Sequence, residues 1–563
     1  MERRTLFAIF VIATAALGNF SIARGDSASF ADEIADIDQI ISRGLELEKR
    51  EDWAEALTHY EDAVRLISKP DLKSSAGNRL RRRLGVARLH FDLERRYNDS
   101  SFYQGLRTVS KNRALDLYDE LLHSIESNYV DAPNWNALLR NGTTGLSIAL
   151  RDQTFQKTNQ TNLSYDESRR VIDLIWQTQI KRDYQTRRQA LDFVRWASDV
   201  VAQQTGVPGT ASVLEYTCGA TSALDTYSTF LTGNELDEVY SQIEGNFVGL
   251  GIELKPDADS LLIDNVIAKG PADRAGIKKG DRIVEVDGQA TSVVSAERAA
   301  DMLRGEENTY VQVGVKTGDE LRRLYIRRER VEVPSVEDVG IIDKDDEIGY
   351  LKISSFQKTT YEDVSNALWA LHRQGMRTLI VDVRGNPGGL LDESVEVADL
   401  FIKRGVIVET RGRSARENSS YRAHETGTWR VPLVVLIDGD SASASEIFAG
   451  AIRDHGVGKV VGERSYGKGS VQGIFQLRTV NAGIKLTTAK FYSPSQRAIS
   501  GNGVEPDVAV NLAQRHITAR PTDDGGFVEL DAQAETDMIL EAGKKAAVQQ
   551  MMAALQNREQ AGR

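Results

Sequence analysis

The sequence predicts a multidomain fold of helical N-terminal regions, a small β/α domain, an α/β core built of β/α layers and a closing helix. Three observations carry that prediction. The chain has 563 residues, several times the roughly 100–200 of one domain. Apolar residues recur at helical spacing through the first part, and near Phe247 the pattern changes to strands and glycine turns. From Glu347 onward strand and helix patterns alternate, which implies an α/β layer with crossover connections.

Composition narrows the function classes. With 41% hydrophobic and 27% charged residues, 46 Gly and 11 Pro, the chain reads as ordinary globular protein without low-complexity bulk. Its 70 Lys and Arg against 82 Asp and Glu leave a net charge of −12, so the surface repels polyanions and no nucleic acid is expected as a partner. The single cysteine, Cys218, cannot close an internal disulfide, and with seven scattered histidines it makes no Cys-rich zinc site. Cys218 is expected to be a small buried apolar residue.

Residues 1–23 read as an export signal: a basic start at Met1-Glu2-Arg3-Arg4, an apolar run from Thr5 to Gly18, and the small-x-small pattern Ser21-Ile22-Ala23. That run is shorter than the about 20 residues of a membrane span. The expected location is periplasmic or extracellular, with membrane attachment only if the segment is retained as an anchor. Residues 31–110 are helical, with Gly44, Trp53, Ala56, Leu57, Tyr60, Ala63 and Val64 at helical spacing. Gly44, Ala56, Ala63 and Pro70 resemble the small-residue and proline positions of a tetratricopeptide helix pair, and Leu84 to Leu93 would begin a degenerate partner. A generic amphipathic hairpin accounts for the same residues. This region is a candidate surface for a protein partner. Residues 113–235 form a second helical region, patterned from Arg113 to about Val201 and broken by the polar stretch Gln156 to Ser164.

Residues 240–328 hold the strand-and-turn run Phe247 to Leu254, Leu261 to Ile267, Gly270-Pro271-Ala272, Ala275-Gly276-Ile277 and Gly280 to Gly288. In this order they resemble a PDZ domain of the permuted kind found in bacterial proteases. On that resemblance Gly249, Leu250, Gly251 and Ile252 present N–H groups to a terminal carboxylate, and a helix at about Ser295 to Leu303 walls a groove that takes an added strand. A tight hairpin in a small barrel is the plainer reading.

Residues 335–512 alternate. Strands are expected at Tyr350 to Ile353, Thr378 to Val383, Val406 to Glu409, Leu433 to Ile437 and Val460 to Val461, and helices at about Tyr361 to Arg373, Glu393 to Lys403 and Ser443 to Arg453. After about Asp531 a charged, alanine-rich helix closes the chain at 531–563.

Three short stretches of this region bear on chemistry. Strand Leu433 to Ile437 runs into Asp438-Gly439-Asp440-Ser441-Ala442-Ser443-Ala444-Ser445-Glu446, so Ser443 opens a helix beside free N–H groups that would stabilise an oxyanion. The same Ser443-x-x-Glu446 is also a capping box, the commoner use of such a serine. Lys468 follows 25 residues later between two glycines; it can act as a base only if burial or nearby charge lowers its pKa. Gly462-x-x-x-x-Gly467-Lys468 nearly spells a phosphate loop, but Gly469 stands where Ser or Thr is needed and a strand pattern follows in place of a helix. The third stretch is Asp382-Val383-Arg384-Gly385-Asn386-Pro387-Gly388-Gly389-Leu390.

In this order and at these separations the three stretches resemble the carboxyl-terminal processing, or tail-specific, serine proteases. The match extends to Leu224-Asp225-Thr226-Tyr227-Ser228-Thr229, Leu486 to Pro494 and Gly501 to Asp507, and covers about residues 113–512. The resemblance implies a crotonase-like core with Ser443 as nucleophile, Lys468 as its base and Gln472 as the residue orienting that lysine. It also implies an oxyanion hole from the backbone of Ala444 and of Gly388 and Gly389. Gly385 stands where the family often has Asn, and Asp438-Gly439-Asp440 replaces a commoner Asn-containing lead-in. The region before residue 113 is outside the usual family core.

The expected function is therefore an exported serine endopeptidase that works through an acyl-enzyme on polypeptides with a free, apolar C-terminus, without metal or cofactor. His455 lies about three helical turns, ~18 Å, from Ser443 and cannot serve as its base; His424 lies in a polar segment with no matching motif. The alternative function is a catalytically silent PDZ and helical-repeat scaffold on the same fold. An intact set of Ser443, Lys468 and Gln472 speaks against it.

Overall fold

The computed structural model describes residues 37–67, 69–257, 260–293, 299, 302–318, 320–510, 520–521, 527–528 and 537–561. The expected export signal at 1–23 and most of the expected helix at 295–303 lie outside the described residues.

The N-terminal region folds as helices Ile37–Lys49, Trp53–Leu66 and Ser75–Asn98 around Ile41, Ala56, Tyr60, Ala63, Leu80 and Ala87. Asp52 caps the second helix by accepting from the Glu55 N–H (3.3 Å). Gly44 is needed for close approach, since a Cβ there would lie 2.2 Å from the Tyr60 ring. Three helices share this core, so the expected pair does not stand alone. Leu84 to Leu93 lies inside one 24-residue helix and does not begin another.

A second bundle comprises Lys111–Asn128, Trp135–Ala149, Tyr165–Gln179, Arg187–Thr205 and Gly209–Thr221. The last of these lies beyond the expected end at Val201. Every residue from Ala211 to Thr221 is buried, and a helix buried on all sides has no amphipathic period to betray it. The expected break at Gln156–Ser164 is shorter, because helix Gln153–Thr158 takes its first residues.

In the small domain, strands Ile252–Asp257, Ser260–Val266, Arg282–Val286, Tyr310–Thr317 and Glu320–Arg327 form one antiparallel sheet over Leu261, Ile263, Ile283, Val311 and Val313. The incoming strand Asn246–Gly249 pairs with the outgoing strand Glu329–Glu332, so both connections of this domain run through one two-stranded neck.

The α/β core is a six-stranded sheet. Val336–Asp343 runs antiparallel to Ile348–Ile353, and Thr378–Asp382, Leu433–Ile437, Gly458–Gly462 and Val508–Ala509 follow in parallel. Alternate residues point to opposite faces. Leu379, Val381, Leu433, Val435 and Ile437 pack with Val364, Val397, Ile447 and Phe448 of helices Thr360–Arg373, Leu391–Asp399 and Ala444–His455. Ile380, Val434 and Leu436 meet Ile539, Ala546 and Ala547 of the closing helix Met538–Ala561 on the other face.

The strand expected at Val406–Glu409 forms as Gly405–Gly412 but belongs to a second, antiparallel sheet with Thr229–Leu231, Ala482–Tyr492, Ser419–Ala423 and Ser470–Leu477. Strand spacing alone does not say which sheet a strand joins.

Candidate active site

The parallel strands Thr378–Asp382 and Leu433–Ile437 end side by side, and their outgoing loops are stitched together. Asp438 Oδ1 accepts from the N–H groups of Gly385 (3.0 Å), Asp440 (3.0 Å) and Ser441 (2.9 Å). Ser441 Oγ donates to the Val383 carbonyl (2.8 Å). Asn386, fully buried, donates through Nδ2 to the Ile353 carbonyl (2.9 Å), and its own carbonyl accepts from Ala442 N–H (3.0 Å) and Ser445 Oγ (2.9 Å). Asp438, the first residue of the lead-in that departs from the family pattern, thus supplies a carboxylate that collects three N–H groups.

Ser443 precedes helix Ala444–His455 with φ +58° and ψ −113°, a conformation rare for a non-glycine residue and costing about 1–3 kcal/mol. Its Oγ is buried and has no hydrogen-bond partner. The expected capping box is therefore half used: Glu446 Oε2 accepts from the Ser443 N–H (2.8 Å), while the serine hydroxyl stays uncommitted.

Glu446 is fully buried and is the hub that sequence reading left as a cap residue. Its Oε1 accepts from Ser465 Oγ (2.6 Å) and Gly467 N–H (2.7 Å), and its Oε2 accepts from Ser443 N–H and Lys468 N–H (2.9 Å). One carboxylate thereby joins the serine backbone to the lysine backbone. Burial pushes its carboxyl above the ordinary range, and the four donors pull the other way.

Lys468 is 5% exposed. Burial foremost, then the like charge of Lys485, bring its pKa down to about 7 against the opposing acids Glu446 and Asp225. Its Nζ lies 5.0 Å from the centroid of the Tyr227 ring, which places the Leu224–Thr229 motif directly against the lysine. The segment after Lys468 is strand Ser470–Leu477, so the phosphate-loop reading lacks its helix.

Gln472 lies on that strand opposite Thr487. Its Nε2 donates to Ser470 Oγ (2.9 Å) and Thr487 Oγ1 (3.2 Å), and its buried Oε1 has no partner. The site thus holds two buried oxygens, Ser443 Oγ and Gln472 Oε1, that could each meet an ammonium or amine, and neither does so in this conformation.

Gly388 and Gly389 both have positive φ, +111° and +141°. A Cβ on Gly389 would lie 2.0 Å from the Phe356 carbonyl oxygen, so only glycine fits. The expected donor set is narrowed here: Gly388 N–H is taken by Asn386 Oδ1 (2.8 Å). Ala444 N–H, the first of its helix, has no intrahelical acceptor.

In the small domain Gly251 (φ +77°) turns the chain between strands Asn246–Gly249 and Ile252–Asp257. The carbonyls of Leu250 and Gly251 accept from Ala272 N–H (2.8 Å) and Ile267 N–H (2.9 Å), which fixes the loop expected to hold a carboxylate. His455 Nε2 bonds the Val406 carbonyl (2.7 Å), and the exposed His424 pairs with Asp399 (3.0 Å). Cys218 is buried, with its thiol pushed up to about 12 by burial. Among the described residues no group of three or more His, Cys, Asp or Glu could hold a metal ion, and no helix is long and apolar enough to cross a membrane.

The model of peptidase family S41 matches residues 347–510 and that of the PDZ domain residues 240–316. A probable CtpA-like serine protease of Staphylococcus haemolyticus is 33% identical over 304 residues, which is 53% of this chain and 60% of that protein. Its counterpart in Staphylococcus epidermidis is 32% identical over 289 residues, 51% of this chain and 58% of that protein. The chain thus spans less than two thirds of the length of the curated relatives it matches. A solved structure of the photosystem II D1 C-terminal processing protease, 25% identical, aligns over 71% of this chain and 93% of its own with a TM-score of 0.37. These matches place a similarity to peptidase family S41 at residues 347–510 and, before it, a similarity to a PDZ domain at residues 240–316.

Proposed function

We propose that this chain is an exported serine endopeptidase that selects polypeptides by their C-terminal tails and cleaves them with Ser443 and Lys468. Neutral Lys468 takes the Ser443 Oγ proton as that oxygen attacks a peptide carbonyl carbon. The N–H groups of Ala444 and Gly389 hold the oxyanion, and protonated Lys468 returns its proton to the leaving amine. Water then hydrolyses the Ser443 ester with Lys468 again as base. Gln472 Oε1 would hold Nζ in line once the lysine leaves the Tyr227 face; catalytic hydrogen bonds are commonly looser before substrate binds.

The observation that carries this reading is the pairing of a strained, buried serine with an unbonded hydroxyl and a buried lysine whose pKa is near 7, tied through Glu446. The curated relatives are named as serine proteases. The Leu250–Gly251 loop supports tail selection, since its N–H groups suit a terminal carboxylate while an apolar tail adds as a strand.

The test is incubation of the protein with an unfolded polypeptide ending in apolar residues, with its C-terminally amidated form, and with a version ending in Asp-Asp, each beside Ser443→Ala. Cleavage of the first at the highest rate, and of none by Ser443→Ala, is expected. Equal rates for the three would remove tail selection, and undiminished cleavage by Ser443→Ala would remove the nucleophile.

A further inference from the structure

Lys485 has no part in the steps above, yet it is 6% exposed, and an ammonium buried without purpose is costly. Its place is set by the pairing of strand Ala482–Tyr492. Ile484 and Leu486 pack into the helical core, so Lys485 and Thr487 face the opposite side. That is the side of Gln472, whose Nε2 bonds Thr487 Oγ1 (3.2 Å). On the strand's other edge Thr229 lies opposite Lys485, and Ser228 Oγ accepts from Thr487 N–H (3.0 Å). Tyr227, one residue earlier, carries the ring that faces Lys468 Nζ at 5.0 Å. Lys485 and Lys468 therefore both lie against the segment leading into Thr229, one at Thr229 and the other at Tyr227.

We propose that Lys485 is a positioning residue for the reaction: held beside Lys468 on the Gln472 side of the sheet, its positive charge opposes a second one there and keeps the base free of its proton. This rests on the Ser443–Lys468 reading and adds a residue to it that acts only through Lys468.

The other charged and titratable groups around the pair come from five elements. Facing Lys468 are Glu446 from helix Ala444–His455, Asp225 and Tyr227 from the preceding segment, and Tyr466 from its own loop, bonded to Tyr227. Facing Lys485 are Arg95 from helix Ser75–Asn98, Glu235 from helix Gly233–Glu244, and Asp225. The acids favour protonated lysines. Lys485 is the like charge that acts on Lys468. Glu235 is itself paired with Arg95, which blunts its pull on Lys485. Burial and Arg95 lower Lys485 to about 8, so the two lysines titrate as a coupled pair.

The sign follows directly. Removing the charge at 485 raises the pKa of Lys468, and the rising limb of kcat/KM against pH moves to the alkaline side. The experiment compares that profile for the full chain and for Lys485→Met, Lys485→Gln, Lys485→Arg and Lys468→Ala on one unfolded polypeptide. Both neutral variants are expected to shift the limb up by about one pH unit, a loss of about fivefold at pH 7 that closes near pH 9.5, and arginine is expected to keep the wild-type limb. Thermal unfolding run beside the assay selects whichever neutral variant retains the fold. An unshifted limb in a folded neutral variant, with Lys468→Ala inactive, overturns the role of Lys485 and leaves the dyad standing. Full activity of Lys468→Ala overturns the dyad itself. Loss of all activity at every pH in both Lys485→Met and Lys485→Arg, with the fold kept, overturns action through charge and makes Lys485 a reacting group.

Discussion

Ser443 combines two features that a helix cap does not need, a strained backbone at φ +58° and a buried hydroxyl with no partner. A cap would have spent the hydroxyl on the helix N–H groups. Lys468 is the matching case among the cations. Its folded pKa of about 7 lies below the value near 10.4 of an exposed lysine, so folding binds fewer protons than the unfolded chain between those limits. The burial of this lysine therefore costs nothing above pH ~10.4 and progressively more as pH falls toward 7. Lys468→Met is expected to abolish cleavage while raising unfolding free energy at pH 7 by up to about 4 kcal/mol, a gain that disappears at pH 10.5; denaturant melts at the two pH values measure it. Lys468→Arg should fold and stay inactive across pH 6–10, because a guanidinium keeps its proton. Recovery of activity at high pH in that variant would remove the lysine from its role as base.

At the scale of elements, the geometry comes from two strand ends and one carboxylate. Leu433–Ile437 was legible to the residue, because five apolar residues run into Asp-Gly. The helix after it was legible too, and Glu446 was visible only as its third residue. Nothing in a Ser-x-x-Glu spacing shows that this carboxylate also collects Ser465, Gly467 and Lys468 from a loop about 20 residues on. Gln472 was read through the family resemblance, and its bonds to Ser470 and Thr487 depend on a bulge between Val471 and Gln472 that no periodicity reveals. Lys485 had no signal at all, since Ile-Lys-Leu reads as a strand with one solvated face. Glu446→Gln turns an acceptor into a donor against a donor. It should lower kcat by about a hundredfold or more with little change in KM, and destabilise the fold by roughly 2–4 kcal/mol. Steady-state kinetics and thermal melts on the same preparation check both; a kcat within twofold of wild type would show that Glu446 does not hold the serine and lysine loops in place.

At the scale of the whole molecule, the N-terminal helices are bound to the second bundle and to the segment entering the small domain. Arg96 and Tyr97 of helix Ser75–Asn98 both bond the buried Glu215 of helix Gly209–Thr221 (2.9 and 3.0 Å). Asp99 accepts from Thr232 Oγ1 and from Asn234 Nδ2 (2.8 Å). Helix Gly209–Thr221 lies within the helical region expected at residues 113–235, but it is buried all round, so no amphipathic period marked it or its link to the N-terminal helices. Glu215→Ala leaves Arg96 buried without its acid and should cost about 3–5 kcal/mol. The loss should appear as one lowered transition in calorimetry, not as separate melting of the N-terminal helices. By contrast both chain connections of the PDZ domain run through a two-stranded neck at Asn246–Gly249 and Glu329–Glu332, an arrangement that favours relative motion.

The central claim, that Ser443 is a nucleophile activated by Lys468, is tested most directly by covalent labelling. The intact protein is treated with a fluorophosphonate at pH 8 and the modified residue is located by peptide mass mapping, in wild type and in Lys468→Ala. A single adduct on Ser443 that forms at least a hundredfold more slowly without Lys468 is the predicted result. An adduct on another serine, or labelling of Ser443 at the wild-type rate in Lys468→Ala, would contradict it.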